Sequence, residues 1–423
     1  MTVTESPALK RLQAPLQQGK LYEAASEIKR FDPVRIEGLA DLIVNRSLRV
    51  VDEDRVLLRY SPGARQMAEF IAYKASLKGA AVLSRVDDPL VVAAALAGAG
   101  ENETPRVFDE MAAGLNADVA WATKVAFARS NDEPDANDIV PGEVMKKWYD
   151  ATDASVRLRV DRRPWTLIYL PTEAEAKIDQ MQFDQYVDMF FRACERDWDK
   201  IDAAQNILID EYLNPGKELE LFAGDNLDEK WQTHLKMSIE GQTFASSTVD
   251  KNVPGSEAFS SPKRGTISGR LALPYPVMFG GRKLPNLILE FKEGRVVNFE
   301  VESDNPADAE WVQSVLDRDE GAREVGEVAF GTNRVFDRPM LNGLFVEKVG
   351  GSFHIAIGSS YLFKEYNGKP VNLDNGVRSK NHEDLTCMML SQYGGGRVLV
   401  DGILIQENGE FLDPRLAILN STE

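Results

Sequence analysis

Two kinds of hydrophobic spacing divide the chain. In the first half, short apolar runs alternate with stretches that carry a hydrophobic side chain every three to four residues. Arg55–Tyr60 is a β-type run, and from Ala64 to Leu77 the residues Met67, Phe70, Ile71 and Leu77 recur at helical spacing. Gly79 stops that helix and Ala80–Leu83 opens another strand. Strand, helix and strand in this order predict a parallel sheet with covering helices. The Asp-, Asn- and Pro-rich stretch Asp132–Asp138 reads as a loop, and Thr166–Leu170 as a buried strand. Pro171-Thr172 then leads into one long amphipathic helix through Phe183, Val187, Phe190 and Phe191.

From about Pro215 the spacing changes to strand-like runs separated by glycine turns: Leu219–Phe222, Leu235–Ile239, Leu287–Phe291 and Val296–Val301. One clear helix remains, Asp308–Leu316, with Trp311, Val312, Val315 and Leu316 on its apolar face. The expected class is α/β. An N-terminal α/β domain with a parallel sheet occupies residues 1–210, and a C-terminal β-rich α+β domain occupies residues 211–423.

Composition narrows the function classes. A net charge of −18 argues against nucleic acid or an anionic membrane as partner. No segment approaches the roughly 18 uninterrupted apolar residues of a membrane span. The start, Met1 to Ser6, lacks a basic region followed by an apolar run, so no secretory signal is expected. Cys194 and Cys387 are too few and too scattered for a zinc knuckle or a disulfide framework, and read as reduced core thiols. A cytoplasmic protein is expected.

Candidate chemistry sits in the last quarter. Of three histidines, His354 and His382 lie among carboxylates, whereas His234, beside Trp231, has no acidic cluster near it and reads as structural. Imidazole nitrogen with carboxylate oxygen is the ligand set of zinc, cobalt and manganese. His354 falls in an alternating apolar segment, hence on a strand, where a core role is the commoner explanation; the flanking Gly351 and Gly358 favour a close approach of backbone. His382 and Asp384, two residues apart, share one face of an extended segment. Glu327, inside Val325–Gly331, is a charge in an apolar strand, costly unless paired or metal-bound. Glu257 lies in a turn-rich stretch and on composition alone passes as surface.

In order, Asn252-Val253-Pro254 with Glu257 and Ser261-Pro262, Gly326-Glu327, Glu347-Lys348, His354–Tyr361 and His382-x-Asp384 resemble the aminopeptidase T family of thermophilic-type leucyl metalloaminopeptidases. The resemblance extends upstream through Trp165, Tyr169–Thr172 and Asp197-Trp198. It implies a C-terminal metal-binding domain with two divalent ions, zinc, cobalt or manganese. The implied ligands are Glu257, Glu327, Glu347, His354, His382 and Asp384, with Glu327 bridging and Tyr361 a catalytic side chain close by. It also implies peptide substrates with a free N-terminus and a homodimer whose sites face an internal cavity. Glu383 departs from the pattern, standing where many relatives carry an apolar or aromatic residue, and the first ~35 residues match nothing in it. Glu324 and Glu383 are the candidates for a separate general base. Two readings compete: hydrolysis of another amide or ester by the same ions, and a catalytically silent binding protein with the same fold.

Overall fold

The computed structural model describes residues 31–102, 105–132 and 139–422. The chain divides into two compact units, Met1–Ala176 with Val249–Val253, and Lys177–Thr248 with Pro254–Glu423. The helices Phe183–Cys194 and Trp198–Leu208 thus fall in the second unit, ahead of the boundary at residue 210 that the hydrophobic spacing suggests.

The first unit is α/β. Its sheet runs Ala81–Val86, Arg55–Tyr60, Lys124–Ser130, Trp165–Leu170 and Asn252–Val253 in spatial order, all parallel. Helices Arg65–Leu77, Pro89–Glu101, Pro105–Trp121 and Gly142–Arg162 make the crossovers that parallel strands require. Asp88 caps one of them by accepting from Leu90 N and Val91 N. The apolar side chains Leu57, Val125, Phe127, Trp165 and Leu167 pack together with Leu115, Val119 and Leu158 from two helices. Most of the expected loop Asp132–Asp138 and residues 1–30 lie outside the described residues.

The second unit is β-rich. One antiparallel sheet of eight strands runs from Arg295–Glu300 to Glu410–Phe411, and a second has five strands. The expected long helix is two helices, Glu173–Ile178 and Phe183–Cys194. Gln180 between them has a positive φ of 56°, which helical backbone does not tolerate. None of the helices among the described residues is long and apolar enough to cross a membrane.

Candidate metal centre

The five-stranded sheet orders His382–Met388, Ser352–Gly358, Val325–Gly331, Glu257–Ser260 and Ala245–Ser247 side by side. Its register decides which side chains meet. Glu327 lies opposite Ala356, which lies opposite Asp384; Ala329 lies opposite His354, Gly331 opposite Glu257, and Gly358 opposite His382. Paired residues share a face, and so do residues two apart. Glu257, Glu327, His354, His382 and Asp384 therefore project from one side of the sheet. Between them stand Ala329, Gly331, Ala356 and Gly358; a Cβ on Gly331 would fall 2.2 Å from Val349 O and one on Gly358 2.1 Å from Asn381 O, so neighbouring backbone closes in at both. The other side carries Val328, Phe330, Phe353, Ile355, Ile357, Leu385 and Cys387, all buried.

Two backbone features aim the acids. The register shifts between Val325 and Glu327, and a Cβ on Gly326 would fall 2.3 Å from Ser359 O, so this bulge needs glycine. Glu257 opens a strand and is 6% exposed, in contrast to the surface position that composition suggests. At Gly255, two residues earlier, a Cβ would fall 1.3 Å from Thr248 O.

Glu257, Glu327 and His354 form one group in which a ligand atom from each lies within 4.8 Å of the others, and Glu327, His382 and Asp384 form a second. Glu327 belongs to both. His354 Nε2 stands 3.7 Å from Glu257 Oε2 and 3.6 Å from Glu327 Oε1. His382 Nε2 stands 3.1 Å from Glu327 Oε2 and 3.6 Å from Asp384 Oδ1. His382 Nδ1 lies 2.9 Å from Ser359 O, so it carries the proton and leaves Nε2 free to act as a ligand.

Whether these residues suit a metal can be judged from their unmet bonds. Glu257 Oε2, Glu327 Oε2, both ring nitrogens of His354 and Asp384 Oδ1 are buried with no hydrogen-bond partner among the described residues. Five orphaned polar atoms on one sheet face are rare in a folded protein and call for a ligand. Their donor set, imidazole and carboxylate, suits zinc, cobalt or manganese.

Electrostatics agree. Burial pushes Glu257 up to about 7 against the pull of Lys348. Burial would raise Glu327 too, but its contacts with His354 and His382 outweigh it and hold the carboxyl far below the usual range. Burial would lower His354, yet Glu327, Asp384 and Glu257 lift it to about 9. Burial raises Asp384 well above the usual carboxylate range, with Glu347 and Glu327 adding to it.

Glu347 joins neither group. Its Oε2 is engaged by Lys348, whose Nζ also lies 2.6 Å from Glu257 Oε1. Lys348 is fully buried, and its two carboxylate partners raise its affinity for a proton against the opposing effect of burial. Its pairing is not legible in the sequence, because its partner Glu257 lies 91 residues away.

Tyr361 does come to the site. Its Oη lies 3.5 Å from His382 Nε2, and its ring packs edge-on to Phe259 and stacks on Phe363. Burial, then the carboxylates of Glu327, Glu347, Asp384 and Glu257, keep its phenol protonated.

The two candidate bases are occupied elsewhere. Glu324 accepts from Arg264 Nε at 2.6 Å, Arg264 Nη2 at 2.9 Å and Arg295 Nη1 at 2.9 Å. Glu383 alternates to the opposite face from His382 and Asp384, where its Oε2 accepts from Gly280 N at 2.8 Å. His234 stacks on Phe222 with ring centres 4.2 Å apart, its Nε2 lies 3.2 Å from Glu220 Oε2, and it belongs to neither metal group.

Comparison with known proteins adds an independent line. A family model described as thermophilic metalloprotease (M29) matches residues 33–409. Aminopeptidase 2 of Geobacillus stearothermophilus is 27% identical over 251 residues, 53% of this chain and 56% of that protein. Aminopeptidase T of Thermus thermophilus is 28% identical over 141 residues, 32% of this chain and 33% of that one. The chain thus spans about half the length, or less, of these curated relatives. Among solved structures, AmpT from Thermus thermophilus matches with a TM-score of 0.68 at 20% identity, covering 90% of this chain and 99% of that one. A 2,5-dihydroxypyridine dioxygenase from Pseudomonas putida KT2440 matches with a TM-score of 0.54 at 11% identity, covering 91% and 99%. These two are likenesses of fold, and fold alone does not assign chemistry.

Proposed function

The chain belongs to the thermophilic metalloprotease (M29) family, and we propose that it is a metal-dependent aminopeptidase that removes N-terminal residues from peptides. In this reading Glu257, Glu327 and His354 hold one divalent ion, and Glu327, His382 and Asp384 a second. Resemblance to the aminopeptidase T family adds Glu347 as a further ligand, through the carboxylate oxygen that Lys348 does not engage. Mixed nitrogen and oxygen donors suit zinc, cobalt and manganese alike. The observation that carries the proposal is the sharing of Glu327 by two ligand groups on one face of a sheet.

When bound, two such ions supply a Lewis acid for the scissile carbonyl and a water of lowered pKa. The side chains supply the rest. His382 is fixed in tautomer and orientation by Ser359 O. Lys348 neutralises part of the acid cluster and clamps Glu257. Tyr361 Oη, kept protonated, donates a hydrogen bond to the oxyanion as charge develops on the carbonyl oxygen. Resemblance to the aminopeptidase T family underlies the further expectation of a cytoplasmic homodimer.

A panel of aminoacyl-p-nitroanilides, each with its Nα-acetylated counterpart, tests this reading with zinc, cobalt or manganese added. Cleavage confined to free-amine substrates and abolished by a chelator is the expected result. Equal cleavage of the acetylated compounds would make the protein a general amide hydrolase. No turnover with any of the three ions would leave a binding protein on this fold.

A further inference from the structure

The parallel-sheet unit holds a cluster of cations that the metal centre does not use. Arg59, Phe127 and Leu167 lie in register across three neighbouring strands and so share a face. Arg129 and Trp165, two residues from Phe127 and Leu167 on their strands, lie on the same face. The guanidinium carbons of Arg59, Arg129 and Arg159 stand 5.7, 5.5 and 5.0 Å from the centre of the Phe127 ring. Arg159 is also 5.2 Å from the centre of the Trp165 ring, as is Lys251 Nζ.

Four cations thus converge on two rings, and carboxylates are scarce among them. Asp87 serves Arg59 at 2.8 Å and Arg129 at 2.6 Å. Arg159 and Lys251 are not exposed, and among the described residues neither makes an ion pair. The Trp165 Nε1–H is buried with no hydrogen-bond partner among the described residues.

Burial, then repulsion by Arg59 and Arg129, brings Arg159 down to about 10. Burial brings Lys251 down to about 8, with Asp250 opposing and Arg159 adding to the fall. Ring faces attract these cations but supply no counter-charge. In a chain of net charge −18, four cations around two carboxylates, Asp87 and an Asp250 that also pairs with Arg49 at 3.6 Å, are not what average composition produces.

We propose that Arg59, Arg129, Arg159 and Lys251, with the Trp165 Nε1–H, bind a multiply charged oxyanion of the phosphate class, free or as the phosphate of a small ester. Guanidinium forks match phosphate oxygens two at a time. The ion supplies the charge that Asp87 and Asp250 do not. Side chains of Arg59 and Arg129 are 23% exposed, so solutes reach the cluster.

Calorimetric titration of the full-length, metal-loaded protein with inorganic phosphate and with phenyl phosphate, against potassium chloride at equal ionic strength, tests the site. Wild type should bind saturably, one ion per chain, and His382→Ala should bind as well, which separates this site from the metals. Arg159→Met and Lys251→Met should each weaken binding roughly tenfold or more, the worth of one charge-assisted hydrogen bond. Without phosphate both variants should melt at or above the wild-type temperature, because an uncompensated cation has gone. Tighter binding of phenyl phosphate identifies an ester as ligand, and equal or weaker binding the free ion. The proposal is overturned if phosphate binds no better than chloride, or if Arg159→Met binds like wild type. Loss of binding in His382→Ala alone, or a changed association state in Arg159→Met with phosphate binding intact, would also overturn it.

Discussion

Stripping the metals should turn the candidate centre into a proton store, with a stability that depends on pH in a direction set by its geometry. His354 has an ordinary value of 6.5 and is lifted to about 9 beside Glu327, Asp384 and Glu257. A group whose folded value is raised contributes stability that is full below its unfolded value and is lost as pH rises through the folded one. Chelator-treated protein should therefore lose stability between pH 6.5 and pH 9. At 1.36 kcal/mol per pKa unit, His354 alone accounts for about 3 kcal/mol of that loss. Glu257, raised from 4.5 to about 7, has the same sign and gives up its share at lower pH. The loaded protein should behave oppositely. Metals take the deprotonated ligands, so uptake releases protons and strengthens as pH rises. Calorimetric melting of chelated and loaded protein across pH 6–9 measures both trends. Glu327→Gln removes the contact that chiefly raises His354 and should flatten the chelated curve. A chelated protein equally stable at pH 6.5 and 9, or one whose slope is unchanged by Glu327→Gln, would refute the reasoning.

Other outcomes follow from individual side chains. Glu327→Gln should retain at most one ion after dialysis, whereas Glu257→Gln should keep the His382 site filled; elemental analysis showing two ions in Glu327→Gln would remove the bridging role. Tyr361→Phe should lower kcat on the order of 10²–10³ with metal content and KM little changed, and a wild-type kcat would reduce the tyrosine to packing against Phe259 and Phe363. Lys348→Met should destabilise the protein by about 3–5 kcal/mol in denaturant titration, since Glu257 and Glu347 lose their buried counter-ion together; a loss near zero would show those carboxylates protonated or solvated instead.

Residues whose environment is set by their own strand were legible in the chain. The alternation around His354 and Glu327 placed each on a strand, and the i, i+2 spacing of His382 and Asp384 placed that pair on one face of an extended segment. Which strands would be neighbours was not legible, because register depends on partners as distant as Gly331 and Glu257. Glu257 accordingly passed as surface, and Lys348 went without a role until its pairing with Glu257 became visible. Helical spacing ran on through 179–182 because the apolar period survives a break that only a backbone angle, at Gln180, reveals. Glu383 shows the reverse case: its neighbours suggested the site, while alternation along its own strand had already turned it toward Gly280.

The interleaving of donors and core along the same three strands limits how this protein can change by mutation. Every residue that packs the buried side, Val328, Phe330, Ile355 or Leu385, is bonded directly to one that faces the ligand groups or lies one position from it. A substitution on the packed side that shifts its strand carries a carboxylate or an imidazole with it, so core packing and ligand geometry change together there. Variation that alters one without the other has to arise outside these strands, where the chain enters and leaves the sheet.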